Sequence, residues 1–206
     1  MLISANNIGK KFGREWVFRK LNHHFQLGEP TAIVGPNGSG KSTLIQILSS
    51  HHLASEGDVT YHRADQTKIK PEDFYQYIDI AAPYLELIEE FTLNEMVDFH
   101  FKFKAFRKGM DIKEFNKLIY LEKEGKKQIK SFSSGMKQRL KLGLCFFSSS
   151  PVCFLDEPTS NLDSKGIEWY QKQVSDIKTD KLLIISSNQS YEYEFCQHIL
   201  EIPKFK

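Results

Sequence analysis

Nine residues constrain this chain more than any other stretch: Gly35-Pro36-Asn37-Gly38-Ser39-Gly40-Lys41-Ser42-Thr43. They fit G-x-x-x-x-G-K-[ST], a loop whose backbone N–H groups close around phosphate oxygens. Thr31-Ala32-Ile33-Val34, preceded by Gly28 and Pro30, reads as a short buried strand. After the loop, Leu44, Ile45, Ile47 and Leu48 fall on one face at helical spacing. Strand, glycine-rich turn and helix together aim the positive end of a helix dipole at an anion. The glycines let the backbone approach the phosphates without a Cβ in the way. Lys41 is expected to reach the β- and γ-phosphates, and the Ser42 hydroxyl to take a place on Mg²⁺. An ordinary glycine turn before a helix is the competing reading, and it leaves the fixed lysine and hydroxyl unexplained.

With 206 residues, 40% of them hydrophobic and 26% charged, the chain can bury one core, or one core with a smaller lobe. No apolar run approaches the roughly 20 residues of a membrane-spanning helix. The first residues lack the charged-then-apolar layout of a secretory leader. Cys145, Cys153 and Cys196 are odd in number and scattered, which suggests neither a disulfide framework nor a zinc site. A reducing, cytoplasmic setting is expected. The 7 histidines sit in polar surroundings and read as surface.

The net charge of +2 conceals an asymmetry. Phe101 to Lys141 holds 13 Lys/Arg against 4 Asp/Glu, a balance of +9, so the remainder sums to −7. Just before it, Glu86, Glu89, Glu90, Glu95 and Asp98 form a run with no base among them. Opposed blocks of this kind are solvated helix faces, or a docking surface for a charged partner or lipid headgroups. The basic block is too dispersed for a nucleic-acid patch, and no nucleic-acid partner is expected.

Along the chain, Leu2 to Ile8 and His23 to Leu27 read as short strands, followed by the loop strand and helix, then a strand at Gly57 to Tyr61. Tyr77 to Ala82 reads as another strand, stopped by Pro83. From Thr92 to Phe147 the pattern turns helical. Met96, Val97, Phe99, Phe103 and Phe106 form one amphipathic segment, Phe115, Leu118 and Ile119 a second, and Ser133 or Ser134 caps a third. Strands return at Val152 to Leu155, Leu182 to Ser186 and Ile199 to Ile202, with a helix over Lys165 to Ile177. The outcome is an α/β core with a helical insert.

Val152-Cys153-Phe154-Leu155 runs into Asp156-Glu157, an apolar strand ending in two acids. Asp156 stands where a strand end places a carboxylate beside the metal held by Ser42. Glu157 is placed to polarise a water for attack on the γ-phosphate. By itself an apolar run ending in Asp-Glu is a weak signal; after a complete phosphate loop it is a strong one.

At this point the chain resembles a family. Phe132-Ser133-Ser134-Gly135-Met136-Lys137-Gln138-Arg139 is similar to the signature motif of ATP-binding cassette (ABC) ATPases, LSGGQ followed by a basic residue, Gln and Arg. Phe132, Ser134 and Met136 depart from it; Ser133, Gly135 and the Lys-Gln-Arg tail keep it. Leu155-Asp156-Glu157-Pro158-Thr159-Ser160-Asn161-Leu162-Asp163 resembles the family's Walker B motif and D-loop. Lys11-Phe12-Gly13 resembles its adenine-stacking loop with Phe12 as the aromatic, and Trp16 is the rival platform. The motifs run in family order over nearly the whole chain.

The resemblance implies a P-loop NTPase of the ABC ATPase fold, with a mainly parallel core sheet, N-terminal antiparallel strands and an inserted helical subdomain. It divides the chain into an α/β core over 1–83 and 148–206 and a helical subdomain over 84–147. It implies ATP and Mg²⁺ as cofactors. Two copies would form a homodimer through nucleotide, with Ser133, Ser134 and Gly135 serving the partner copy's ATP and Asp163 lining the seam. Ser133 also reads as a plain helix N-cap. A separate multi-span membrane subunit is the implied partner, placing the chain on the cytoplasmic face of the cell membrane. The alternative is a non-transport, ATP-dependent dimerisation switch with weak hydrolysis.

Two positions depart from the family. Alignment puts Pro83 where the family has a glutamine touching Mg²⁺ and the attacking water, and Asn188 where it has a switch histidine. Asn188 can hydrogen-bond a phosphate oxygen but carries no charge. A shifted alignment offers Gln76 or Gln189 instead. Otherwise slow hydrolysis is expected, with Glu157, Lys41 and Asn188 as the catalytic candidates.

Overall fold

The computed structural model describes residues 1–206 and contains two sheets. A long antiparallel hairpin opens the chain, β1 (Leu2–Phe12) with β2 (Glu15–Gln26), turning at Gly13 with φ 58°. The two short strands expected at Leu2 to Ile8 and His23 to Leu27 are parts of this one hairpin. Register shifts at Asn7 and near Lys20, both at positive φ, break the alternation that would have shown its full length. β4 (Glu56–His62) pairs with the other edge of β1, and β5 (Lys68–Ile69) with β4. Two residues are too few to carry a pattern, so β5 is invisible in its polar stretch.

The second sheet has the order β6-β7-β8-β3-β9, and every pair in it is parallel. Its strands are β3 (Thr31–Val34), β6 (Ile78–Ala81), β7 (Val152–Asp156), β8 (Leu182–Ser187) and β9 (His198–Glu201). Both faces are covered. Val152 and Phe154 of β7, with Leu182 and Ile184 of β8, face a core shared with the hairpin and α1 (Lys41–Leu48). Cys153 and Leu155, with Leu183 and Ile185, face a second core shared with the helices. Burial on both sides is why these strands read as unbroken apolar runs. A fully buried side chain such as Phe154 contributes about 1.5–3 kcal/mol.

Between β6 and β7 the chain forms α2 (Leu93–Phe103), α3 (Ile112–Leu118) and α4 (Ser134–Phe146). Thr92 and Glu95 start α2 with a reciprocal capping box, and the Asp111 side chain caps α3. α2 does not run on to Phe106 as expected. It stops at Phe103, and Phe106 folds back to pair with Ser148 and stack on Phe101 at 3.6 Å. Leu93, Met96 and Val97 are buried, whereas Phe103 is 74% exposed, so the predicted apolar face is covered only at its start. α5 (Ser164–Ile177) follows β7, capped by Asp163.

Two composition-level readings are corrected. Cys145 and Cys153 are not scattered: α4 and β7 bring these free thiols together in the core, where the contact and burial push the Cys145 thiol well up. Not every histidine is a surface group, because His100 on α2 packs 3.7 Å from the buried Asp79 on β6.

Candidate nucleotide site

The loop between β3 and α1 wraps its own lysine. Lys41 is 5% exposed, and its Nζ donates to Gly35 O at 2.9 Å and Pro36 O at 3.4 Å. An ammonium held on neutral carbonyls at a helix N-terminus is a strong anchor for an anion. Gly40 precedes the helix at φ 106°, and a Cβ there would lie 2.3 Å from Val17 Cγ1. The loop therefore packs against β2 only with glycine at that position. Ser39 is 1% exposed and its hydroxyl lacks a partner, while its backbone N–H closes the turn onto Pro36 O at 3.1 Å.

A hollow of about 340 Å³ opens above the loop. Asn37, Gly38, Gly40, Lys41, Ser42 and Thr43 line it, with Phe12 and Val17 from the hairpin and Glu157 from the end of β7. Phe12 is 58% exposed and Lys10 Nζ sits 5.3 Å from its ring centroid. Trp16 is instead covered by the Arg19 guanidinium at 4.1 Å and is not part of the lining. Gly35 and Pro36 do not line the hollow and meet it only through the Lys41 ammonium that their carbonyls hold.

Asp156 ends β7 and is 1% exposed, yet neither carboxylate oxygen has a hydrogen-bond partner. A buried anion without donors is costly, and a hard divalent cation is the partner such oxygens suit. Together with the Ser42 hydroxyl, it fits Mg²⁺. Glu157 follows with φ 47°, a left-handed conformation uncommon outside glycine, and its N–H donates to Ser186 O at 2.9 Å.

A second hollow of about 250 Å³ adjoins the first and shares Asn37 and Glu157 with it. Asn188, Gln189 and Glu192 face it, and Asn188 Nδ2 donates to Asn37 Oδ1 at 3.2 Å. Ser133, Ser134 and Gly135 lie in neither hollow. Ser133 caps α4, accepting from Met136 N at 3.2 Å, and both serines are exposed. A Cβ on Gly135 would sit 3.0 Å from Asn161 O, so this helix start packs against the loop after Glu157. The Asp163 carboxylate accepts from Gly166 N at 2.8 Å.

The neighbourhood of Pro83 holds a residue the sequence reading passed over. Gln76 lies in a 3-10 turn before β6, at the far end of that strand from Asp156. Ala81 pairs with Leu155, so the chain leaving β6 passes beside Asp156, and Tyr84 is the side chain found there. Although Tyr84 is 42% exposed overall, burial and then the Asp156 carboxylate push its phenol up to about 12, against a hydrogen bond with the Gln46 side chain. Its only sequence signal is adjacency to Pro83. Val17 and Glu192, also missed, have none.

A phosphate loop closed by lysine, an orphaned strand-end aspartate and an aromatic at the rim define a P-loop ATP-binding cassette. The family model described as ABC transporter matches residues 18–160, and the chain belongs to that family as an ATP-binding protein. It is 27% identical over 197 residues to the lantibiotic transport ATP-binding protein SrtF of Streptococcus pyogenes, covering 91% of this chain and 80% of that one. It is 31% identical over 168 residues to the probable sulfate/thiosulfate import ATP-binding protein CysA of Chlorella vulgaris, covering 80% and 70%. Among solved structures, a putative ABC transporter ATP-binding protein from Pyrococcus furiosus superposes with a TM-score of 0.83 at 16% identity, covering 100% of both chains. The dimeric bacterial cassette MJ0796 does so with a TM-score of 0.81 at 23% identity, covering 97% and 94%. These two likenesses establish the ABC ATPase fold.

Proposed function

We propose that this chain is the ATP-binding and ATP-hydrolysing subunit of an ABC transporter, closing head to tail with a second copy around ATP. The observation that carries the reading is one hollow lined by Phe12, Lys41, Ser42 and Glu157, the last directly following Asp156, whose buried oxygens lack a partner. In this reading Phe12 stacks on the adenine, and Gly35 to Thr43 cradle the phosphates with Lys41 on the β- and γ-oxygens. Ser42 and Asp156 hold Mg²⁺, which draws charge from the transferring phosphoryl group. Glu157 takes the proton of the attacking water. Ser133, Ser134 and Gly135, outside both hollows, offer a second anion cradle to the partner copy's γ-phosphate, and Asp163 lies at the seam. No helix of the chain is long and apolar enough to cross a membrane. In this reading the transport path belongs to a separate membrane subunit, met on the cytoplasmic face of the cell membrane at the 84–147 helical subdomain.

Glu157→Gln tests the reading. The amide cannot act as base, so turnover is lost while ATP binding persists. With ATP and Mg²⁺ a dimer accumulates on size-exclusion chromatography. A variant that stays monomeric and hydrolyses ATP at the parent rate contradicts it.

The second reading, a dimerisation switch with weak hydrolysis, is favoured by one observation: the Asn188 amide is already engaged with Asn37. ATP-dependent dimerisation of the parent chain without measurable turnover, even beside a membrane partner, would select it.

A further inference from the structure

Glu192 is a buried carboxylate whose contacts the nucleotide hollow alone does not account for. It lies in the 3-10 turn Ser190–Glu192 after β8 and is 2% exposed. Its Oε1 accepts from Thr159 N at 2.8 Å and from the Thr159 hydroxyl, and its Oε2 accepts from the Ser187 hydroxyl. Its own carbonyl accepts from the Tyr170 hydroxyl at 2.8 Å, tying the turn to α5. A buried carboxylate is a poor stabiliser of a fold. What it does well is fix several donors at once through short, charge-assisted bonds.

The donors belong to the two segments that carry Glu157 and Asn188. Thr159 lies two residues after Glu157, and Ser187 directly precedes Asn188, its hydroxyl also accepting from Gln189 N at 2.8 Å. Glu157 sits in the left-handed region at φ 47°. A bulky residue stays there only where its surroundings over-determine it. Ser186 O holds the turn on one side and Glu192 on the other. A third tie comes from α4, where Gln138 Nε2 donates to Pro158 O at 2.7 Å.

We propose that Glu192 is a positioning residue that locks the turn carrying Glu157 to the strand end carrying Asn188. Through Gln138 the same unit includes the helix that begins at Ser133 and Gly135. The hydrolytic residues for one nucleotide and the half-site offered to the other then move as one body. The inference rests on the reading of Glu157 as the general base. Without Glu192 the Glu157 turn relaxes toward an ordinary φ and the carboxylate swings off the water; a misplacement of about 1 Å costs on the order of 10²-fold in rate.

The test uses the full chain with Glu192→Gln, Glu192→Ala, Ser187→Ala and the Ser187→Ala/Glu192→Gln double variant. Single-turnover hydrolysis and calorimetric ATP affinity are measured side by side. Glu192→Ala is expected to lower the rate about 10²-fold with ATP affinity unchanged, because the phosphate loop is untouched. Glu192→Gln, which keeps the reach, recovers part of that loss. The double variant is no slower than its slower single, since both cut one linkage. If Glu192→Ala does not fold, Glu192→Gln and Ser187→Ala carry the test. The inference is overturned if these variants hydrolyse at the parent rate, if affinity falls in step with rate, or if the two losses multiply. Glu157→Gln run in parallel separates the failures. If it turns over normally, the reading of Glu157 falls and the inference with it. If it is inactive while the Glu192 variants match the parent, only the inference falls.

Discussion

The side chain of Asn188 donates from Nδ2 to Asn37 Oδ1 at 3.2 Å, joining the end of β8 to the phosphate loop across 151 positions of sequence. Both side chains face the hollow that also holds Glu157. The residue that the resemblance aligns with the family's switch histidine is therefore held by the loop itself, through a side chain that is neutral and short. Its Nδ2 carries two N–H donors, so one can stay on Asn37 while the other is offered to a phosphate oxygen.

That geometry predicts a residue that tunes hydrolysis without being required for it. Positioning and acid–base groups are worth about 10²–10⁴ in rate where fully adapted, and an imidazole placed on a site built for an amide recovers less. Asn188→His should raise the single-turnover rate by roughly tenfold or less, and Asn188→Ala should lower it. Equal rates for Asn188→Ala and the parent would make Asn188 a bystander, with Gln189 beside it in the same hollow the next to change.

Lys41 is predicted to dominate affinity. Its ammonium is held by Gly35 O and Pro36 O, so Lys41→Ala removes a positioned charge. Hydrogen bonds to charged groups contribute about 1.5–3 kcal/mol, which is about 10- to 150-fold in Kd. Calorimetry with ATP and Mg²⁺ measures it directly. Unchanged affinity would end the assignment of the loop.

His100 gives the fold a pH dependence. Burial holds its imidazole below the ordinary value; Lys104 and Lys181 act in the same direction, and the Asp79 carboxylate opposes them. The folded state thus binds fewer protons than the unfolded chain at pH just below the free value of about 6.5. The stability contributed is present above that value and is lost as pH falls through it. His23, also lowered by burial and by His198 and His24, adds to the same slope. The urea midpoint should drop between about pH 7.5 and about pH 5.5, and by less in His100→Gln. An identical drop in both proteins would remove His100 from the account.

The sequence showed best what is contiguous. The phosphate loop, β7 with its Asp156-Glu157 end, and β8 announce themselves because chemistry or two-sided burial acts on neighbouring residues. Other features depend on register between distant segments. Tyr84 reaches Asp156 only because β6 and β7 pair in parallel, and Glu192 finds Thr159 from 33 positions away. Phe106 leaves the helical pattern because Phe101 and Ser148 offer it a partner that period alone cannot show. In the same way Asp79, unremarkable within an apolar strand, becomes visible only when α2 lays His100 over it.

Tyr84 supplies the last prediction. The resemblance aligns Pro83 with the family's glutamine, and the next side chain along is a phenol beside Asp156. With its ionisation pushed up to about 12, Tyr84 keeps its proton at any working pH. It can donate to the Asp156 carboxylate, to a metal-bound water or to a phosphate oxygen, but cannot serve as a base. Tyr84→Phe removes that donor and keeps the ring. It should slow single-turnover hydrolysis by about tenfold, toward the lower edge of what a positioning group is worth, and raise the Mg²⁺ concentration needed for half-maximal rate. ATP affinity measured without Mg²⁺ should not change, because Lys41 and the loop are intact. Tyr84→Gln restores a side chain with both donor and acceptor and should recover more of the rate than Tyr84→Phe. If Tyr84→Phe matches the parent at every Mg²⁺ concentration, the phenol is only packed against Gln46 and Asp156. Ser42 and Asp156 would then be the residues left to hold the metal.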